Sequence, residues 1–329
     1  MPRAIVMRAH GAPDVLVAED VEVGAPGPGQ IRLRQQAIGV NFHDVYVRTG
    51  QYRTLSLPGT PGIEAVGVVE QVGPGVSELR PGDRVGYVTG GYGAYAAVRL
   101  LPAEIAIRLP DGLDAELAAS VLLKGLTVQM LVRQVAALRA GQTILVHAAA
   151  GGVGRLLCQW AAHLGVTVIG TTGSEEKAEI ARRAGCAHVV LYRQQNFVER
   201  VSELTGGRGV DVAYDAVGRD TFMGSLACLG MRGHLVNFGQ ASGPVEPFAV
   251  SLLSQKSNTV SRPILFHYTA DAASRTAMAN ELFAALDEGW LTAVEPRVFA
   301  LEDAAGAHAL LESAAGSAPL VLRPSGVSR

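Results

Sequence analysis

The sequence predicts an α/β protein in which a doubly wound parallel sheet is joined to a β-rich part, and three observations predict it. Thr143-Ile-Leu-Val-His-Ala-Ala-Ala-Gly-Gly-Val-Gly154 reads as a buried strand running into a tight glycine turn. Val153, Leu156, Leu157, Trp160, Ala161 and Leu164 then recur at three- and four-residue spacing, which gives the following helix one apolar face. Beyond it, short apolar runs alternate with amphipathic stretches to about residue 265, as βαβ units require.

The elements follow in order. Residues 1–123 are β-rich: runs over Gln30–Ala37, Ile63–Val72, Asp83–Val88 and Ala94–Leu100 are separated by Gly-Pro and Pro-Gly turns, clearest at Gly24–Gly29 and Arg80–Asp83. A helix is expected over Asp114–Leu123. At Lys124 the character changes. Residues 124–266 form the sheet domain, with strands at 143–148, 166–170, 188–191, 209–215, 233–239 and 257–264 and helices starting near Gly152, Ser174, Asn196 and Asp220. Gly165 closes the first of these helices. Residues 267–329 supply a helix over Ala270–Glu288, another over Asp303–Ala314 and a strand over Pro319–Arg323 that returns to the first domain. The sheet domain is then an insertion within the β-rich one.

A strand–turn–helix of this kind aims backbone N–H groups and the positive end of a helix dipole at one point, which suits a pyrophosphate. Ala149-Ala150-Gly151-Gly152-Val153-Gly154 is A-x-G-x-x-G, a variant of the dinucleotide fingerprint. An ordinary βα connection could also be glycine-rich, but the flanking strand and amphipathic helix favour a dinucleotide site. An NAD site places Asp or Glu at the end of the second strand to meet the ribose 2′-hydroxyl. Here that strand ends in Gly170-Thr-Thr-Gly-Ser174, with no carboxylate at its tip. The absence permits NADP(H), and Lys177, one turn into the next helix, is placed to meet a 2′-phosphate. Glu175 and Glu176 are read as partners of the helix dipole, and a solvated surface lysine is the competing reading of Lys177.

Length and composition set bounds. A chain of 329 residues exceeds one typical core, so two domains are expected. The net charge of −2, with both signs interspersed, argues against a phosphate-backbone footprint and makes nucleic-acid binding an unfavoured expectation. No apolar run approaches the length that crosses a bilayer, and the N-terminus lacks the continuous apolar stretch of a signal peptide. Cys158, Cys186 and Cys228 show no paired spacing, which suits small core residues in a reducing cytoplasm. His147, inside the first strand of the sheet, reads as a buried, hydrogen-bonded side chain.

The rest of the chain carries a family resemblance. Gly39-Val-Asn-Phe-His-Asp-Val-Tyr-Val-Arg-Thr-Gly50, Pro58-Gly-Thr-Pro-Gly-Ile-Glu-Ala-Val-Gly67, Leu123-Lys-Gly-Leu-Thr-Val128, Tyr214-Asp-Ala-Val-Gly218 and Val236-Asn-Phe-Gly239 join the turn at 149–154. Together they resemble the zinc-independent quinone oxidoreductases, the zeta-crystallin-like group of the medium-chain dehydrogenase/reductase superfamily, over essentially the full length. The resemblance implies a GroES-like catalytic domain beside a Rossmann domain, a homodimer through edge strands near Asn258–Leu265, and a cleft between the domains. It implies that Asn41, Tyr46 and Tyr52 face the nicotinamide and the acceptor there. Lys124 and Thr127 are expected to approach the cofactor, with Ala149, Gly151, Gly152, Val153 and Gly154 shaping the pyrophosphate turn. Gly173, Ser174, Lys177 and Tyr192 are expected at the adenosine end, and Asn237, Phe238 and Gly239 at the carboxyl edge facing the nicotinamide. Arg262 is a weaker candidate. For Tyr46 and Tyr52, plain packing of a domain face is the competing reading, and for Tyr192 a half-exposed aromatic at a strand end.

Zinc separates this group from alcohol dehydrogenases. A catalytic zinc needs three protein ligands. Where those enzymes carry a cysteine this chain has Asn41, and their Gly-His-Glu is Gly62-Ile63-Glu64 here. A site gathered from His43, Asp44 and Glu64 is disfavoured, because a solvated or locally bonded His43 is the commoner outcome. Three cysteines in total also exclude a four-cysteine structural lobe. The reaction expected is metal-independent reduction of quinones by NADPH. An enone or 2-alkenal reductase is the first alternative, and a nucleotide-binding protein with an RNA-binding or structural role is the second.

Overall fold

The structure is a computed structural model that describes residues 1–313 and 316–326. It opens with the pair β1 (Arg3–Val6) and β2 (Val17–Asp20), followed by β3 (Gln30–Val40) and helix α1 (Phe42–Thr49). Strands β4 (Glu64–Val72), β5 (Arg84–Val88), β6 (Val98–Pro102) and β7 (Ile107–Arg108) lead to α2 (Ala115–Gln129). The sheet region then runs β8 (Thr143–Val146), α3 (Gly152–His163), β9 (Thr167–Thr172), α4 (Glu175–Arg183), β10 (His188–Leu191), α5 (Phe197–Leu204), β11 (Val210–Asp215), α6 (Phe222–Cys228), β12 (Leu229–Asn237) and β13 (Thr259–Ser261). Helices α7 (Leu265–Tyr268) and α8 (Ala272–Asp287), β14 (Arg297–Ala300), α9 (Ala304–Ser313) and β15 (Leu320–Arg323) complete the described chain. The Ala314 end expected for the last helix lies outside the described residues.

The chain divides into two compact units, one of residues 1–123, 269–283 and 293–329, the other of residues 124–268 and 284–292. In the first, β14-β15-β3-β4-β5-β7 form one sheet, with β6 on the second side of β3. The final strand pairs antiparallel with β3, Leu320 opposite Val40, so the C-terminal segment is built into the N-terminal sheet. Ile31, Leu33, Ile38, Tyr87, Leu101, Leu320 and Leu322 fill its core.

In the second unit the order is β10-β9-β8-β11-β12-β13, all parallel. This is the doubly wound arrangement expected from the alternating pattern, with its switch point beside β8. Strands covered on both faces bury every side chain, which is why Ile144, Leu145 and Val146 are all fully buried and the run shows no alternation. Leu145, Ile169, Val190, Ala213, Phe222 and Leu235 form the core, where a Leu145→Ala truncation costs about 3 kcal/mol.

Several local expectations are corrected. The helix expected to end at Leu123 continues to Gln129 and passes into a π-helical stretch, Met130–Val135. As one 21-residue run, 115–135 is long and apolar enough by composition to cross a bilayer, contrary to the expectation that no run approaches that length. Its apolarity has another cause, since 78% of its most apolar window is buried inside the protein. Helix α1 was not anticipated, nor was the extension of β12 back to Leu229. The strand expected over 257–264 shortens to Thr259–Ser261. His147 stands just past the end of β8 rather than within it.

Candidate functional site

The nucleotide-type turn is built from backbone. Gly151 caps α3, and Gly165 follows that helix with φ 75°. Ala148 enters the turn at φ 51°, a left-handed conformation that costs a non-glycine residue on the order of 1–3 kcal/mol. Its carbonyl accepts from Gly151 N–H at 2.8 Å, and Ala149 N–H donates to Thr171 O at 3.1 Å. A Cβ on Gly154 would lie 2.2 Å from the Ala148 carbonyl oxygen, so only glycine lets the helix approach the strand this closely. A Cβ on Gly152 would meet the Lys124 side chain at 3.0 Å. Lys124 is buried, and its Cδ and Cε are the atoms that such a Cβ would meet, which sets the lysine stem beside the first residue of α3. Val153 follows within the first turn of α3, and Thr127 lies one turn of α2 beyond Lys124.

His147 anchors the floor of this turn. Its Nδ1 pairs with Thr171 Oγ1 and its Nε2 with Ser225 Oγ, both at 2.9 Å. Ser225 also donates to Asp215 Oδ2 at 3.2 Å. Burial holds the imidazole neutral against the pull of the Asp215 charge. The histidine is thus the buried, bonded side chain expected from the sequence.

The second strand ends beside a cluster of the expected residues. Ser174 caps α4, its Oγ accepting from Lys177 N–H at 3.4 Å. A Cβ on Gly173 would lie 2.7 Å from Tyr192 Oη and 3.4 Å from Arg193 Nε. Glu175 is tied to Arg182 at 2.7 Å, which turns that carboxylate to its own helix. At the carboxyl edge, Asn237 ends β12 and donates to Gly239 O at 3.1 Å, Phe238 N–H reaches Asp215 O at 2.9 Å, and Arg262 donates to Asn237 O at 3.0 Å. A cavity of about 480 Å³ opens here, lined by Asn237, Gln240, Ser261, Arg262 and the rings of Phe222 and Phe248.

In the other unit, Asn41 caps α1, and its backbone N–H donates to Asp44 Oδ2 at 2.8 Å. Its side-chain amide donates instead to Glu64 Oε2 at 2.9 Å, while Leu123 N–H donates to Glu64 Oε1 at 2.6 Å. Tyr46 and Tyr52 lie with ring centroids 5.0 Å apart, and His43 meets Tyr52 edge-on at 5.5 Å. Tyr46 is buried, Tyr52 half-buried and Phe42 39% exposed, so the cluster offers aromatic surface to solvent. Among the described residues no group of three or more His, Cys, Asp or Glu side chains is placed to hold a metal ion.

Residues 27–111 match the alcohol dehydrogenase GroES-like domain family and residues 152–281 the zinc-binding dehydrogenase family. A quinone oxidoreductase of Pseudomonas aeruginosa is 46% identical, covering 98% of this chain and 100% of its own. A 2-haloacrylate reductase of a Burkholderia species is 44% identical over 98% of this chain and 99% of its own. The crystal structure of an Escherichia coli quinone oxidoreductase complexed with NADPH superposes with TM-score 0.95 at 42% identity, covering 98% of this chain and 100% of that one. The chain belongs to the quinone oxidoreductase family. It is an oxidoreductase of the medium-chain dehydrogenase/reductase superfamily, with the Rossmann and GroES-like parts expected of it.

Within this family fold the positions that bind zinc in alcohol dehydrogenases carry an amide committed to Glu64 and a buried Ile63. Sequence reasoning missed four features. Arg193 stands beside Gly173 and makes no ion pair among the described residues; its adjacency to Tyr192 was the available signal. Glu64 emerges as the partner of Asn41, Tyr92 as a partner of His43 at 3.3 Å, and Cys186 as a neighbour of Cys158 at 3.4 Å between sulfurs. Those three pairings join residues distant in sequence, so no local pattern announces them. The cysteines are buried thiols as expected, but two of the three are in contact.

Proposed function

We propose that the protein reduces quinones with NADPH and without a metal ion. The observation that carries this is the carboxylate-free end of β9, where Gly173 meets Tyr192 and Arg193 and Ser174 caps the helix that carries Lys177. A 2′-phosphate would be repelled by an acidic residue there and is matched by two cations. The NADPH complex of the Escherichia coli relative supports the same cofactor.

The residues fit that cofactor. Ala149, Gly151, Gly152, Val153 and Gly154 hold the pyrophosphate on the α3 N-terminus, with the Lys124 cation against it and Thr127 one turn beyond. Asn237, Phe238 and Gly239 meet the nicotinamide at the carboxyl edge of the sheet, with Arg262 fixing the Asn237 carbonyl. NADPH, when bound, supplies hydride to an electron-poor acceptor. The protein's own part is to bind, orient and supply protons. Glu64 takes one hydrogen of the Asn41 amide, which fixes the orientation of that group and leaves a defined face for cofactor or acceptor. Tyr46 and Tyr52 give a planar ring a stacking surface. The side chains at the former zinc positions include no thiolate or imidazole, so polarisation of the acceptor falls to hydrogen-bond donors.

Reduction of a conjugated carbon–carbon double bond is the second reading, favoured by the 2-haloacrylate reductase relative. A homodimer through the outer edge of β13, which pairs with β12 on its other side, completes the proposal. So does a cytoplasmic location, where three thiols stay reduced. Titration with NADPH and NADH, followed by NADPH oxidation with 1,4-benzoquinone beside an enone panel, tests the reading. Preference for NADPH and faster turnover of the quinone are expected. Cofactor binding with no turnover of any acceptor would instead revive a binding role.

A further inference from the structure

Three separate segments of the β-rich unit converge on His43. The Tyr92 hydroxyl lies 3.3 Å from His43 Nε2 and is hydrogen-bonded on its other side to Thr54 Oγ1. Tyr92 is buried, whereas Thr54 is exposed, so the chain of three groups leads from solvent to the imidazole. The His43 ring in turn meets Tyr52 edge-on, within the aromatic cluster of Tyr46 and Tyr52.

The backbone is strained to achieve this. Tyr92 sits between Gly91 and Gly93 at φ 55°, where a residue with a side chain costs on the order of 1–3 kcal/mol. Glycine would hold the same turn without that cost. What the tyrosine adds is a hydroxyl seated between Thr54 and His43.

We propose that Thr54, Tyr92 and His43 form a proton relay to the acceptor's oxygen, with His43 Nδ1 as the delivering atom. Thr54 donates to Tyr92 Oη and Tyr92 donates to Nε2, which places the ring's proton on Nδ1. Reduction of a quinone to a hydroquinone needs a hydride and a proton. As the acceptor gains the hydride's electron pair, the Nδ1–H bond breaks and an O–H bond forms on the acceptor. Nε2 takes the Tyr92 proton, Tyr92 takes that of Thr54, and Thr54 takes one from solvent. The ring, left with its proton on Nε2, resets by exchange with solvent after product release. Desolvation holds His43 at about 4, so at neutral pH it passes a proton along instead of storing one. Asp44 and Tyr52 are the other titratable groups whose charge bears on Tyr92. The assignment rests on the reading that the acceptor lies over Tyr46 and Tyr52.

Two measurements on the full chain test it. In ¹⁵N-labelled protein without cofactor, with His43 assigned by its loss in His43→Gln, Nδ1 is expected protonated and Nε2 bare at pH 7. Tyr92→Phe should then shift the balance towards the Nε2-protonated tautomer. A proton on Nε2 in the unaltered protein, or an unchanged tautomer in Tyr92→Phe, would overturn the relay. With 1,4-benzoquinone, His43→Gln should lower kcat about 100-fold and Tyr92→Phe about tenfold, both abolishing a solvent deuterium effect of about twofold, while NADPH affinity holds. Normal turnover in both variants would sink the relay and leave the quinone reading standing. No turnover by the unaltered protein would sink both.

Discussion

The two units put their chemistry in different materials. In the unit of parallel strands, the turn at 149–154 works through backbone: N–H groups, a helix end, and glycines whose missing Cβ atoms leave room. In the β-rich unit the candidate groups are side chains, Asn41 on Glu64 and His43 on Tyr92, brought together from different segments. A backbone site has one geometry, and at Gly154 it tolerates no added atom. A side-chain site depends on pairs, so either partner can disable it.

The sharpest way to break this contrast is Gly154→Val. Its Cβ would lie 2.2 Å from a backbone oxygen that cannot move aside, and the turn should open. Loss of NADPH affinity by more than about 100-fold is expected by calorimetry, with about 3 kcal/mol of stability lost as well. Near-normal binding would show that the turn does not hold the pyrophosphate. Lys177→Ala comes next. A charged hydrogen bond to phosphate contributes about 1.5–3 kcal/mol, so NADPH affinity should fall about 10- to 100-fold and NADH affinity should hold. Arg193→Ala should act in the same direction and more weakly; equal losses for both coenzymes would remove these two cations from the 2′-phosphate.

Asn41→Ala probes the paired material. It strips one donor from a fully buried Glu64, at a cost of about 1–3 kcal/mol. Lower kcat with unchanged NADPH affinity is expected, and the reverse pattern would place Asn41 at the cofactor's far end. Asn41→Asp should be worse in thermal melts, because it sets a second carboxylate against Glu64.

The smallest effect is read out by acid in the β-rich unit. Burial lowers His43 to about 4 and His308, with Arg48 adding to the effect, to about 3. The unfolded chain takes up these protons near 6.5 and the folded one refuses them. Stability is therefore complete above about pH 6.5 and falls as pH drops towards 4 for His43 and towards 3 for His308, by about 1.4 kcal/mol per unit for each. Melting curves between pH 7 and 4 should steepen less in His43→Gln than in the unaltered protein; identical curves would show that His43 is not held neutral.

How much of this was legible follows the same division. The turn could be read because strand, glycines and helix are contiguous, and the βαβ order came from the spacing of apolar runs. Lys177 and Tyr192 could be named, and Arg193 was one residue away. Glu64 lies 23 residues from Asn41 and Tyr92 lies 49 from His43, so their partnership exists only once the sheet has formed. Cys158 and Cys186 meet for the same reason, across 28 residues. The long helix is not legible past Leu123, because the change in composition at Lys124 reads as a domain boundary. Neither Gly125 nor the charge interrupts a helix that is buried along most of its length.

The central claim is NADPH-driven quinone reduction by the polypeptide's own groups. It is tested most directly by turnover of 1,4-benzoquinone after exhaustive chelation, with zinc measured in the same sample. Full activity at well under one zinc per chain, faster with NADPH than with NADH, is the expected result. Activity that vanishes on chelation and returns with stoichiometric zinc would contradict it.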